Sequence, residues 1–408
     1  MATVLFCPVT FNLAETTRMI QVARALASEH DPVFLGYEPD YADLVRDAGF
    51  DYRACRPSWS KPQRDQAIAF DQGKSLRNPF TTELVSARVA IERHLVRETG
   101  ARAMVTGSNL TSFISARAEG IPLVYPVPYA LTDAQVSAAR RMGFVAGDGA
   151  VARIVDRMAT AAFRWVYTSA PLAPRAFTRV AKANGVAPLR TVGSLLTADH
   201  NLLTEMPWEL EGVDLPDGFE RVGPIFAHID APIPPIVETL AADTTPLIYL
   251  ALGSSSSRAL ALTLARALGT LPVNVVAPIR QYLEPGDVLP GNVYVTDLLP
   301  AHRLGGLVDA AVTHGGQGTV QTSCATGVPF VGMGLQPEQT WHVKACAARG
   351  NAIALSPKAA GTPALLAAVR RVLVDPAIRR AADEVRAGYE GADGASATAR
   401  IIERSLAG

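Results

Sequence analysis

The chain has 408 residues, 49% hydrophobic and 19% charged, a balance that gives a globular protein and excludes a disordered one. Lys plus Arg and Asp plus Glu number 38 each, so no net field draws the whole chain to nucleic acid or to an anionic membrane. The length exceeds what one ordinary core organises and points to two sizeable domains with a cleft between them.

The opening MATVLFCPVT is apolar but has neither a basic n-region nor a small-residue cleavage site, so it reads as a buried strand and not as a signal peptide. No later stretch approaches the roughly 18 uninterrupted apolar residues of a membrane helix, and a cytoplasmic protein without an integral membrane segment is expected. After this strand the pattern predicts a helix over 15–29, a strand over 32–37 and a helix over 41–47. A helix over 83–98, a strand over 103–106, a helix over 112–119 and a strand over 122–125 follow. Such alternation builds a mostly parallel, doubly wound sheet covered on both faces.

The proline-rich segment 224–246 reads as a stiff linker with a short helical run. Alternation then resumes with strands in PLIYLAL, PVNVVAP, NVYVTD and AAVTH. Helices are expected over 258–268 and 320–325, the second closed by Gly327 ahead of Pro329. Residues 364–407 read as amphipathic helices that pack on the second domain or cross back to the first. The expected boundaries are 1–222, a linker over 223–245, a second Rossmann-like domain over 246–380, and C-terminal helices over 381–408. Cys7, Cys55, Cys324 and Cys346 lack the close pairing of zinc or redox sites and read as reduced packing residues; no metal ligand set is expected.

Chemistry concentrates in AAVTHGGQGTVQTSCATGVPFVGMGLQPEQTWHV, residues 310–343. A strand, a glycine turn and a helix start follow one another there. Gly315, Gly316 and Gly318 let backbone approach a ligand closely, and the helix amides, from Gln317 onward, point at it. An anion suits that place, a diphosphate best. His314 ends the strand, where open α/β sheets hold ligands, and Thr319 adds a hydroxyl.

The run HGGQGTVQTSCATGVPFVGMGLQPEQ resembles the donor-binding signature of family 1 nucleotide-sugar glycosyltransferases, especially the bacterial natural-product branch. That resemblance implies the GT-B fold, two facing Rossmann-like doubly wound α/β domains. It also implies a metal-independent, inverting transfer from a UDP- or dTDP-sugar to a small acceptor, with no separate cofactor and no nucleic acid. By the same resemblance His314, Gly316, Gly318 and Thr319 hold the diphosphate, while Glu338 and Gln339 bind sugar hydroxyls. Gly253, Ser254 and Ser255 form a second phosphate loop. Leu298 and Leu299 in DLLPAH take the base-binding turn, with Leu298 where an aromatic is usual. A monomer or homodimer is expected.

Where the family carries a Gly-His pair whose histidine deprotonates the acceptor, this chain has Ala14 and Glu15. Glu15 either replaces that base, with its pKa lifted by partial burial, or caps the helix that begins near it. The family's orienting aspartate is likewise absent, its place taken by Gly107, Ser108 and Asn109. Asn12, Ser108, Asn109 and Tyr129 are candidate acceptor-binding residues. Trp59, Phe70, Phe80, Phe144, Trp165 and Tyr167 are further candidates for an apolar acceptor pocket. Two other readings stay open: a non-catalytic GT-B partner protein that has lost its base, and a nucleotide-sugar epimerase.

Overall fold

In the computed structural model, the structure describes residues 1–407 except 72–74, 76, 143, 146–148, 188, 230 and 254–255. The chain divides into two compact units, Met1–Ile225 with Asp393–Gly408, and Phe226–Ala392.

The first unit opens with β1 (Thr3–Cys7), α1 (Leu13–Leu26), β2 (Asp31–Gly36), α2 (Ala42–Asp47) and β3 (Asp51–Ala54). It continues through α3 (Lys61–Asp71), α4 (Thr82–Thr99), β4 (Ala103–Thr106), α5 (Ser112–Glu119) and β5 (Leu123–Val127). Then come α6 (Asp133–Ala138), α7 (Ala150–Thr168), α8 (Arg175–Ala183), α9 (Val192–Leu195), β6 (His200–Leu203) and β7 (Phe219–Arg221). The strands pair in parallel in the order β3-β2-β1-β4-β5-β6-β7. Every residue of β4 and β5 is buried, as a sheet covered on both faces requires.

The second unit begins with α10 (Pro235–Ala241), β8 (Leu247–Ala251), α11 (Arg258–Leu268), β9 (Asn274–Ala277) and β10 (Val293–Val295). It goes on with β11 (Ala310–Thr313), α12 (Gln317–Thr326), β12 (Phe330–Gly332), α13 (Pro337–Arg349) and β13 (Ala352–Ala354), followed by α14 (Pro363–Val374) and α15 (Pro376–Gly388). Its parallel sheet runs β10-β9-β8-β11-β12-β13. Leu264, Leu268, Val275, Val312, Val369 and Ile378 are among the side chains that fill its core.

The tail splits between the units. Leu365, Val369 and Ile378 from α14 and α15 are buried in the second core, whereas the last helix, α16 (Gly394–Ala407), places Ile401, Ile402 and Leu406 in the first. Arg404 of α16 binds Glu220 at 2.7 Å, and Arg102 donates to the carbonyl of Leu406.

In both sheets strand order reverses beside the central strand, between β1 and β4 and between β8 and β11. Each reversal sends neighbouring connections to opposite faces and opens a crevice at the strand carboxyl ends, where such sheets place ligands.

Candidate functional site

At the second reversal Ala251 and Thr313 lie abreast in parallel register. The next residue, His314, is only 6% exposed and turns its Nδ1 to the carbonyl of Ala251 at 3.2 Å. A carbonyl only accepts, so Nδ1 carries a proton and Nε2 is the nitrogen available to another partner. Burial holds the imidazole pKa below its ordinary value, opposed by the Ala251 hydrogen bond and by the charge of Glu338.

Two glycines enclose this ring. A Cβ on Gly316 would lie 2.5 Å from Nε2, and one on Gly253 would lie 2.7 Å from Cε1. Gly253 also has φ +47°, in the left-handed region that a side chain disfavours. Tyr282 donates its hydroxyl to the Gly253 carbonyl and so holds the loop in place. Ser254 and Ser255, expected on the same loop, lie outside the described residues.

Gly316 caps α12, whose N-terminus has neither a side-chain cap hydrogen bond nor an acidic residue in its first turn. That end turns backbone amides and the positive pole of the helix toward the glycine turn. A Cβ at Gly318 would meet nothing within 4 Å, so that turn faces open space, with Thr319 partly exposed next to it. The arrangement suits an anion: uncapped amides, a positive helix end and a ring nitrogen on one side of an open turn.

Gly315, with φ +85°, brings the same turn against α13, where a Cβ would lie 2.6 Å from Val343 Cγ2 and 2.9 Å from the Gln339 carbonyl. The start of α13 thereby lies beside the start of α12. Glu338 is mostly buried, with its carboxylate 3.3 Å from His342 Nε2. The Gln339 side chain works locally: its oxygen accepts from the Leu335 amide at 3.0 Å and its nitrogen donates to Gln336 at 2.7 Å. Leu298 is 47% exposed while Leu299 is buried, so Leu298 alone of the pair presents apolar surface.

The first unit holds Glu15 at its own reversal. This residue is 2% exposed, and its Oε1 accepts the amides of Val9 at 2.8 Å and Ser108 at 2.9 Å, one just beyond β1 and the other just beyond β4. A Cβ at Gly107 would come within 2.4 Å of this carboxyl, so the glycine makes room for it. Burial pushes the Glu15 pKa up; the two amides and the Ser108 hydroxyl pull against that. The capping alternative takes a different form, because Asn12 caps α1 by accepting the Glu15 amide. Ser108 is exposed at the lip, and Asn12 is half-buried.

Asn109 is committed elsewhere. Its amide donates to Glu92 and to Ser112, both at 2.9 Å, while its oxygen accepts from Thr111. Glu92, buried between α4 and α5, also accepts from Tyr37, Thr111 and Ser115. Sequence reading singled out Asn109 as facing an acceptor; a side chain with these bonds secures the turn after β4 instead.

Tyr129 is buried after β5, with its amide on the Glu205 carboxylate at 2.7 Å. The aromatic candidates separate into groups. Trp59 packs on Phe80, and Phe80 on Phe177 of a buried cluster. Phe144, Phe163 and Tyr167 form a second chain of rings, while Trp165 projects to solvent and Phe70 is exposed. Ala251, Tyr282 and Glu92 escaped sequence reading: the first acts through its backbone, and the others meet partners 29 and at least 17 residues away. None of the four cysteines is in a disulfide; the Cys324 and Cys346 sulfurs lie 3.6 Å apart, packed between α12 and α13.

Residues 263–397 match the C-terminal domain of erythromycin biosynthesis protein CIII-like proteins. The chain is 26% identical over 387 residues to a PGL/p-HBAD biosynthesis glycosyltransferase of Mycobacterium tuberculosis, covering 93% of this chain and 86% of that one. It is 31% identical over 211 residues to 4'-demethylrebeccamycin synthase of Lentzea aerocolonigenes, covering 51% and 50% of the two chains. Among solved structures it resembles glycosyltransferase VinC in complex with dTDP, with TM-score 0.68, 21% identity and 99% of each chain covered. It also resembles the spinosyn forosaminyltransferase SpnP, with TM-score 0.73, 17% identity and complete coverage of both. Two doubly wound parallel sheets and these relationships agree: the chain is a glycosyltransferase of GT-B fold, in which residues 263–397 resemble an EryCIII-like C-terminal domain.

Proposed function

We propose that the protein transfers a sugar, with inversion, from a UDP- or dTDP-sugar to a hydroxyl of a small apolar or aromatic acceptor, without a metal ion. The observation that carries this reading is the uncapped N-terminus of α12 beside the His314 ring, in the space kept by Gly253 and Gly316. The diphosphate takes the amides of Gln317, Gly318 and Thr319, the Thr319 hydroxyl and His314 Nε2. Gly315 joins that turn to α13, from which Glu338 receives the sugar hydroxyls, and Gln339 shapes the turn beneath them. Leu298 offers the base an apolar seat and Leu299 anchors that turn. The similar structure solved in complex with dTDP supports a nucleoside diphosphate as the leaving group.

In the reaction the acceptor oxygen attacks the anomeric carbon, the bond from that carbon to the diphosphate oxygen breaks, and the diphosphate leaves with the electron pair. The α12 amides already aimed at the leaving oxygens, and the His314 ring once it has taken up a second proton, stabilise the charge that develops there. On the acceptor side we assign the proton to Glu15. Its carboxylate is held by one oxygen, its pKa is raised by burial, and the exposed Ser108 hydroxyl links it to solvent. The acceptor proton passes to Ser108, whose own proton passes to Glu15. Asn12 and Tyr129 frame this corner.

The test supplies UDP- and dTDP-sugars with phenolic and alkyl alcohol acceptors, follows nucleoside diphosphate release, and reads the product's anomeric configuration by NMR. Release that depends on acceptor and gives the inverted glycoside is expected. A retained configuration, or release with no glycoside formed, contradicts the proposal.

A further inference from the structure

Helices α12 and α13 share one seam, with the glycine turn at its near end and a pair of thiols at its far end. On α12, Gln317, Val320 and Cys324 are buried at i, i+3 and i+7; on α13, Gln339, Val343 and Cys346 are buried at i, i+4 and i+7. Spacings of this kind put each set on one face of its helix. At the near end Gly315 approaches the Gln339 carbonyl and Val343, and a Cβ on Gly332 would also lie 2.6 Å from Val343. At the far end the Cys324 and Cys346 sulfurs are 3.6 Å apart, 1% and 0% exposed. Val343 thus fits between two glycines without slack, and a shift at the thiols is passed along the seam to the turn.

The pair is placed for oxidation. One thiol donates to the other, and the buried Asn351 amide donates to Cys324 Sγ at 3.4 Å, which holds that sulfur beside its partner. The Cys324 sulfur, as thiolate, attacks a hydroperoxide oxygen; an S–O bond forms, the O–O bond breaks, and hydroxide leaves. The Cys346 thiolate then attacks the Cys324 sulfur, the S–S bond forms, the S–O bond breaks, and a second hydroxide leaves. Each hydroxide takes up the proton that one thiol released. Two thiols and one hydrogen peroxide become one disulfide and two waters.

We propose that Cys324 and Cys346 form a reversible disulfide under hydroperoxide, and that this bond loosens the grip of the α12 turn on the donor diphosphate. Bonded sulfurs sit roughly 2.05 Å apart, so the pair must close by about 1.5 Å. With Val343 already wedged, that closure tips the start of α13 against Gly315. Formation of the bond is independent of the reaction proposed above, whereas its effect on the donor rests on that reading.

The full chain treated with excess hydrogen peroxide tests both parts. Titratable thiols should fall from four to two, the intact mass should lose two hydrogens, and peptide mapping should join Cys324 to Cys346 with Cys7 and Cys55 still free. By calorimetry dTDP should bind the oxidised chain about tenfold more weakly than the reduced one, and dithiothreitol should restore the affinity. Cys346→Ser should bind dTDP as untreated wild type does, before and after peroxide. Cys324→Ala, which leaves no hydroxyl in the seam, should do the same and serves if serine unsettles the fold. Four thiols that survive peroxide in the folded chain overturn the proposal, and so does a bond between Cys324 and Cys346 that leaves dTDP binding unchanged. Reduced protein that does not bind dTDP overturns the function proposed above, and with it the effect on the donor, even where the bond forms.

Discussion

His314 directs its protonated Nδ1 to the Ala251 carbonyl, 3.2 Å away, and so presents Nε2 to the turn before α12. In the neutral ring Nε2 is an acceptor and has nothing to give a phosphate oxygen. An anion there is held best when the ring gains a second proton, so donor binding and proton uptake are linked. The folded pKa is lowered from the ordinary 6.5 by burial, so the ring is neutral at pH 7 before ligand arrives. The affinity for a nucleotide sugar, whose diphosphate does not titrate near neutrality, should therefore increase as pH falls from about 8 to about 6. Calorimetry in buffers of different ionisation enthalpy should show proton uptake. His314→Ala should bind without that pH dependence and turn over about a hundredfold more slowly.

The glycines of the turn separate fold from binding. Gly316→Ala places a methyl group 2.5 Å from Nε2 and must displace the ring, so donor affinity should fall by about tenfold or more in titration calorimetry. At Gly318 a methyl group meets only open space, and alanine suits a helix better by about 0.5–1 kcal/mol. Gly318→Ala should thus keep or raise the thermal midpoint while weakening donor binding, because the space it fills is the ligand's.

Glu15 separates base chemistry from structure. Its folded pKa lies above the ordinary 4.5, so as pH rises the unfolded chain releases this proton first. The stability tied to the protonated carboxyl is fully present below about 4.5 and is lost as pH rises through the raised folded value. Glu15→Gln keeps an oxygen for the Val9 and Ser108 amides without a buried charge. It should unfold at or above the wild-type midpoint at pH 7.5, with the advantage vanishing near pH 4.5, and lose most activity. Glu15→Ala orphans two amides at about 1–3 kcal/mol each and should unfold earlier. Wild-type kinetics in Glu15→Gln would make the residue a strand-end clamp only.

Glu92→Ala should be among the more destabilising single changes. It leaves Tyr37, Asn109, Thr111 and Ser115 as donors without their acceptor in a buried place, with a loss of more than about 3 kcal/mol in urea unfolding. Glu92→Gln retains an acceptor oxygen and should lose less.

Much of this was legible in the residues. The 103–106 strand and the 112–119 helix coincide with β4 and α5, because apolar runs closed by glycine or proline leave few choices. The turn from β11 into α12 was legible because glycines and a strand-end histidine form a local pattern. Helix α7 was not read as a helix: its apolar stripe points outward and Asp156 inward, so no core signal announces it. Strands β6 and β7 were missed because they are only four and three residues long, too short for an apolar run to announce them. The role of Asn109 was hidden because its partner Glu92 comes from a separate helix, a contact that no local spacing encodes.

The central claim is that the α12 turn receives a nucleoside diphosphate. Crystals soaked with UDP or dTDP test it most directly. The account predicts diphosphate density bonded to His314 Nε2 and to the amides of Gln317, Gly318 and Thr319, absent in a matched soak of Gly316→Ala. Density elsewhere in the second unit, with this turn unchanged, would contradict it.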